Sequence, residues 1–303
     1  MTNITIIQNE ERQLQRLAAQ RQLYAYTKTI IGYQFVFSGP ITVLLMFLAI
    51  YCPSIKVWVA LWGIELWLID ILFLSKYQKE LKEKAAIIQE RFDCEVLALP
   101  WNPLKAINSI DHELIKEYSD KYNNSKLPMP SIRDWYPTSV EHLPLTLGRL
   151  VCQRANCWWD SSQRRRYAKL LAITLLIVVL GMFTVGLLAN LTLENFILII
   201  GIPLMPAITL FTRQFNEHRE AADRLDKLKT YTDKFWHDAV AGLDEGISLA
   251  RSRTLQDEIF DGRKRNAPIF DWIFRRLRKD YEIQMNHGSE ELVKEAKGKL
   301  GIQ

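Results

Sequence analysis

The chain is poor in the residue types from which most enzymes build a centre. It holds five histidines among 303 residues, and His112-Glu113 lacks the second histidine that a zinc-protease helix supplies. No glycine-rich run has phosphate-loop spacing, and no Ser, His and Asp set can be singled out among so few histidines. The four cysteines, Cys52, Cys94, Cys152 and Cys157, are scattered. Only the last two are close, and a lone C-x4-C without a second pair is a poor zinc signal. They read as small packing residues in a reducing compartment. These absences argue against an enzyme: no catalytic residue, metal site or cofactor is expected.

Long apolar runs are what the chain has in quantity. Ile30 to Tyr51 is apolar apart from Gln34, Ser38 and Thr42. At about 1.5 Å per residue it covers a hydrocarbon core of about 30 Å. Cys52, Pro53 and Ser54 make a turn, and Ile55 to Leu74 returns with Trp58, Trp62, Trp67, Glu65 and Asp70. The plan repeats: Leu170 to Ala189 runs out, Asn190 to Leu193 turns, and Glu194 to Thr212 comes back with Pro203 and Pro206 inside it. Buried soluble helices of this uniformity are usually shorter, so four membrane spans in two hairpins are expected. A polar stretch precedes the first span and no small-residue site ends it, which sets it apart from a cleavable signal.

Charged side chains are 24% of the chain and hydrophobic ones 49%, but they are segregated. The expected layout is an N-terminal cytosolic or interfacial helix (1–29), a first hairpin (30–74), a cytosolic middle region (75–168), a second hairpin (169–212) and a cytosolic C-terminal helical region (213–303). Both polar regions are too long for simple loops and should pack together. Lys28, Lys76, Lys79, Lys82, Lys84, Arg164, Arg165, Arg166, Lys169, Arg213 and Arg219 all flank spans on the same side, whereas the tight turns offer only Lys56. Cations next to spans mark the cytoplasmic side, which places both termini and the middle region there. The net charge of +5 then reflects topology and contact with anionic lipid, and gives no reason to expect DNA or RNA.

Outside the spans, Asn9 to Thr29 reads as a helix with Asn9 as a cap, and Lys76 to Gln89 continues the second span. Phe92 to Ala98 alternates loosely and reads as a short strand. Asn108 to Tyr122 reads as a helix with Ile110, Leu114, Ile115 and Tyr118 on one side, and Asn123 to Pro130 as a loop. Further helices are expected from Leu147 into the third span, from Asn216 to Leu249 and from Ile269 to Ala296. The fold class is thus a mainly α polytopic membrane protein with a cytosolic α or α+β module.

Some side chains stand out against this background. Glu65 lies mid-span, where a carboxylate costs about 2.5–3.5 kcal/mol on insertion scales. It either faces a pore, forming an acidic ring in an oligomer, or ties spans together through Thr42, Thr174 or Thr184. Asp70 is a second pore or gate candidate, although it is near enough to the cytoplasmic end to reach the interface. Pro203 and Pro206 each remove a backbone donor, so a kink is expected, as a hinge or as a static bend. Arg133, Trp135, Tyr136, Arg154, Trp158, Trp159 and Arg164 mix planar cations with aromatic faces, a combination that grips phosphates and stacks bases. Trp158 and Trp159, close to the third span, read first as interfacial anchors, and Arg133 and Arg154 read equally as members of structural ion pairs. The basic runs Arg263-Lys264-Arg265 and Arg275-Arg276 with Arg278-Lys279 read as solvated or lipid-facing.

The order of these features resembles a known family. The stretches IQNEERQLQRLAAQRQ ending at Gln22, FDCEVLALPWN (Phe92 to Asn102), DWYP (Asp134 to Pro137), LPLTLGRLVCQRANCWWD (Leu143 to Asp160) and NAPIFDWIFRRLRKDYEIQMN (Asn266 to Asn286), with the span plan, are similar to the S-4TM effectors. These four-span membrane proteins accompany bacterial cyclic-oligonucleotide synthases in antiphage defence (CBASS). The resemblance implies a regulated pore in the inner membrane. A cyclic oligonucleotide or cyclic dinucleotide from a cognate nucleotidyltransferase binds the cytosolic module, the chain forms a homo-oligomer, and the membrane loses integrity, arresting growth or killing the cell. Two other readings stay open: a non-enzymatic membrane anchor or scaffold, and a small ion channel gated by another signal.

Overall fold

A computed structural model describes residues 2–105, 111–125 and 131–301. Among them there is no strand. The helices are α1 (Ile4–Ile7), α2 (Glu11–Tyr51), α3 (Pro53–Val96), α4 (His112–Asn123), α5 (Leu145–Leu188), α6 (Leu193–Val240), α7 (Glu245–Arg265) and α8 (Asp271–Leu300). Four of these, α2, α3, α5 and α6, are long and apolar enough to cross a membrane. The protein is therefore a mainly α, multi-pass membrane protein. Of the sequence-based expectations, the start of the 108–122 helix and most of the 123–130 loop lie outside the described residues, as do the side chains of Arg275, Arg278 and Lys279.

The chain divides into two compact units. The apolar unit comprises Tyr26–Glu80 and Arg165–Arg219, and its centre is Met46, Ala49, Val59, Met182, Ile199, Ile200, Leu204 and Ala207. Small residues let its helices approach closely. A Cβ on Gly63 would come within 2.7 Å of the Pro203 Cα, and one on Gly186 within 2.7 Å of the Phe196 ring. At the two tight turns Lys56 Nζ meets the Glu194 carboxylate at 3.0 Å and the Asn195 Oδ1 at 2.9 Å, which joins the hairpins.

Three of the spans contain a π-helical turn: Phe37–Ile41, Asp70–Leu74 and Ile197–Gly201. The causes are local. Pro40 lacks an N–H and its ring crowds the carbonyl one α-turn back, which a wider turn relieves. The Thr42 hydroxyl then donates to the Phe37 carbonyl at 2.7 Å. Pro203 and Pro206 follow the third of these turns directly. The second begins at Asp70, whose carboxylate accepts from Gln34 Nε2 at 2.6 Å and Ser75 Oγ at 3.1 Å and pairs with Arg213 at 2.9 Å.

The polar unit comprises Met1–Ala25, Leu81–Arg164 and Glu220–Gln303. Its main core gathers Leu17, Phe92, Val96, Tyr136, Leu147, Leu150, Val151, Phe235, Trp236, Val293 and others. A smaller cluster holds Cys157, Leu225, Leu255 and Ile259.

Two expectations are corrected. Phe92 to Ala98 is no strand: α3 runs through to Val96, and Phe92, Asp93, Val96 and Leu97 are all buried, so burial does not alternate. Ala98 takes a left-handed conformation (φ 49) and Leu99 N donates to the Cys94 carbonyl at 2.8 Å, a helix-ending pattern of Schellman type. The Asn216 to Leu249 helix is likewise interrupted. α6 ends at Val240, Gly242 adopts φ +100, and the Asp244 carboxylate caps α7 by accepting from Ile247 N at 3.1 Å. That positive φ favours glycine, and aspartate is a strong N-cap.

Candidate functional site

The motifs distant in sequence meet in the polar unit, around Asp93 on the last turns of α3. Asp93 is fully buried. One carboxylate oxygen accepts from the Tyr136 hydroxyl at 2.6 Å; the other accepts from Gln256 Nε2 at 2.7 Å and from Arg263. One turn earlier Glu90 accepts from the same Gln256 amide at 2.8 Å and from Arg253 Nη2 at 2.5 Å. Arg253 also donates to the Pro100 carbonyl at 2.9 Å and pairs with Asp257 at 2.8 Å. Two buried carboxylates are thus matched by two guanidinium groups, the condition under which buried charge is tolerated.

The protonation states follow from the surroundings. Burial raises Glu90 above the usual carboxylate range, and the neighbouring Asp93 charge adds to the effect, with Arg253 opposing. Burial also pushes the Tyr136 phenol well up, reinforced by Asp93, so Tyr136 remains a donor. Burial lowers Arg263, but the Asp93 carboxylate outweighs it and holds the guanidinium charged. The Cys94 and Cys152 thiols are driven up mainly by burial, which removes them as nucleophiles. The arrangement braces the last turns of α3 against Tyr136 and α7. Among the described residues no group of three or more His, Cys, Asp or Glu is placed to hold a metal ion.

The N-terminal motif closes around the same centre. Gln8 Oε1 accepts from Tyr136 N at 2.7 Å, and the Asn9 amide pairs with Asp134 through two bonds of 2.8 and 3.1 Å. Asp134 has φ 51, and Asn9 holds it in that conformation. Arg149 donates to the Leu97 carbonyl at 2.8 Å and to that of Ala98 at 3.3 Å, satisfying the end of α3.

Beside this network opens a cleft of about 340 Å³ lined by Arg12, Arg16, Arg91, Cys94, Glu95, Leu99, Trp101 and His112. It sets three guanidinium groups against one carboxylate. Glu95 accepts from Arg16 Nη2 at 2.8 Å and from Gln13 Nε2 at 2.8 Å, with Arg12 at 3.3 Å. Burial favours a raised Glu95, but the Arg16 and Gln13 hydrogen bonds and both arginine charges outweigh it and lower its pKa. Arg16 is buried while Arg12 and His112 are exposed. Arg91 lies over the Trp101 ring, 5.5 Å from its centre. Planar cations beside an indole suit a ligand that carries phosphate and an aromatic base.

The residues singled out from the sequence are placed differently, and none of the seven ligand candidates lines this cleft. Tyr136 is buried, stacked on Phe92, and Trp135 meets the same Phe92 ring edge-on, with Arg21 over its own ring at 5.3 Å. Arg154 pairs with Asp233 at 2.5 Å. Arg164 is buried, pairing with Asp160 at 2.8 Å and donating to the Ala267 carbonyl at 2.8 Å. Trp158 and Trp159 are half-buried on α5, and the Arg133 side chain is exposed. Of the pore or gate candidates, Asp70 is buried in its ion pair, Pro203 and Pro206 are buried, and Glu65 is exposed. The basic run at the end of α7 is corrected: Arg263 holds Asp93, and Lys264 pairs with Glu83 at 2.8 Å. Sequence reading missed Glu90, Asp93, Gln256, Arg253 and the cleft. The one available signal was that Asp93, Glu95, Gln13 and Arg16 sit inside the short motifs.

Residues 2–292 match the family model of the SMODS-associating 4TM effector domain. A probable CBASS effector molecule of Bacillus cereus (strain VD146) is 27% identical over 293 residues, which cover 92% of this chain and 95% of the relative. No solved structure matches.

Proposed function

Because the chain belongs to the SMODS-associating 4TM effector family, we propose that it is a membrane effector of bacterial antiphage defence that senses a cyclic nucleotide and breaches the membrane in response. In this reading the spans sit in the inner membrane with both termini and the polar unit in the cytoplasm, as the cations beside the spans suggest. A nucleotidyltransferase supplies the cyclic dinucleotide or oligonucleotide. Its binding favours an assembled, permeable state, and growth stops. Ligand binding shifts such an equilibrium only through its differential affinity for the two states.

The observation that carries the sensing step is the cleft: Arg12, Arg16 and Arg91 beside Trp101, with Cys94 of its lining in contact with Arg253 of the carboxylate network. Guanidinium groups recognise phosphate oxygens in pairs, and the indole face accepts a base. The cleft volume falls in the range of small-molecule sites. Binding of cyclic di- and oligonucleotides to the detergent-solubilised full chain tests it. Arg91→Ala and Trp101→Ala are each expected to weaken binding about tenfold or more, the order of one lost charge-assisted bond or stacked base. Unchanged affinity in both would move the site elsewhere, and loss with Arg133→Ala instead would place it at the exposed guanidinium before Trp135.

A further inference from the structure

Trp101 lines the cleft, yet the stretch that carries it has almost no apolar hold on the rest of the polar unit. Leu99 is buried where α3 ends, but beyond it Pro100, Trp101 and Pro103 are exposed, Asn102 and Lys105 are half-buried, and Leu104 is 85% exposed. No apolar side chain from 100 to 105 enters the core, so burial does not fix where the indole stands. Polar contacts do, and they come from one face of α7, at residues one helical turn apart. Arg253 Nη1 donates to the Pro100 carbonyl at 2.9 Å, Asp257 Oδ2 accepts from Asn102 Nδ2 at 2.9 Å, and the Asp261 carboxylate pairs with Lys105. Asp257 is itself held, since its other oxygen accepts from Arg253 Nη2 at 2.8 Å. Asn102 then closes the stretch on itself: its Oδ1 accepts from Leu104 N at 3.1 Å and its carbonyl from Lys105 N at 3.2 Å. The Asp261 hydrogen bond, with the charges of Asp261, Asp257 and Glu258 and against burial, raises Lys105 above its ordinary value, so its ammonium stays charged.

We infer that residues 100–105 form a strap fastened to α7, and that Asp257 and Asp261 are positioning residues for ligand binding. Neither aspartate lines the cleft; they act by setting Trp101 against Arg91, Arg12 and Arg16. This role rests on the cleft being the ligand site, as proposed above. Partly exposed polar contacts are individually weak, so the strap is held firmly only while all of them are made. Each one lost lowers the fraction of chains with the indole in place, and the apparent affinity falls with that fraction. Arg253 is the wrong residue to change, because it also balances the buried Glu90. Asp257 and Asp261 can be changed without unpairing that charge.

The test uses the detergent-solubilised full chain with Asp257→Asn, Asp261→Asn, Lys105→Ala, or the last two together. Hydrogen exchange followed by mass spectrometry, without nucleotide, is expected to speed up several-fold at Leu104 in each variant and to stay unchanged in the spans. Affinity for a cyclic dinucleotide or cyclic trinucleotide that binds the parent chain is expected to fall several-fold in each single variant. It falls no further in the double variant, since both residues serve one contact. Unchanged exchange, unchanged affinity or additive losses overturn the inference. So does tighter binding in Asp261→Asn, which would mean that the freed Lys105 ammonium meets phosphate directly. Affinity that falls in Arg91→Ala and Trp101→Ala but not in these variants keeps the cleft and rejects the strap. A parent chain that binds neither class of nucleotide, or binding that Arg91→Ala and Trp101→Ala leave unmoved, rejects the cleft and the positioning role with it.

Discussion

At the residue scale the polar unit depends on Asp93. It is buried between a phenol, an amide and a guanidinium, and removing the guanidinium leaves a buried charge with nothing to balance it. Arg263→Met is therefore expected to cost about 3–5 kcal/mol of stability, seen as a large fall in the melting temperature of the detergent-solubilised chain. Loss of only a degree or two would show that water enters and screens the pair. The two glutamates nearby respond to pH with opposite sign. Glu90 is raised, so its contribution is full below the ordinary carboxylate pKa and is lost as pH rises through the lifted value. Glu95 is lowered, so its contribution is full above the ordinary carboxylate pKa and is lost as pH falls through the depressed value. A melting-temperature profile is expected to lose part of its acid-side fall in Glu95→Gln and part of its fall towards neutrality in Glu90→Gln; identical profiles would contradict both assignments. If the cleft takes the phosphates of the proposed ligand, Glu95 is its rival for Arg12 and Arg16, so Glu95→Gln is expected to tighten cyclic-nucleotide binding several-fold, readable by titration.

Little of this was legible in the chain. Tyr136 lies 43 residues from Asp93, Gln256 163 and Arg263 170, and no local periodicity reports such a meeting. Arg263 looked like any member of a basic run, because a run of cations reads the same whether its first residue is solvated or buried against a carboxylate.

At the element scale the spans could be read directly, since about 20 apolar residues in succession have few other uses. Their internal irregularity could not. Pro40 was the available sign of the wide turn at Phe37–Ile41, and a single proline inside an apolar run is easily absorbed into it. Strand and helix were confused at Phe92 to Ala98 because a helix buried on nearly all sides loses the periodicity that would identify it. The packing of the two hairpins rests on close backbone approach at Gly63. Gly63→Leu is expected to destabilise the apolar unit by about 1–3 kcal/mol, the usual cost of overpacking, and to lower the thermal stability of the purified protein. An unaltered melting curve would mean that the helices separate there without penalty. Asp70 and Arg213 add an ion pair to the same unit, and a static brace and a releasable latch both fit its geometry.

At the scale of the whole molecule, α2, α3, α5 and α6 each supply residues to both units. A ligand that reorders the polar unit thereby acts on helices that continue as spans, which is the physical content of the proposed coupling. The most direct measurement is the release of a trapped dye from liposomes containing the purified chain, before and after a cyclic dinucleotide or oligonucleotide is added. Release is expected only after addition, and Arg91→Ala is expected to shift its midpoint to at least about tenfold higher ligand concentration, in line with the predicted loss of affinity. Release without ligand, or intact liposomes at saturating concentrations of every cyclic nucleotide that binds, would contradict it.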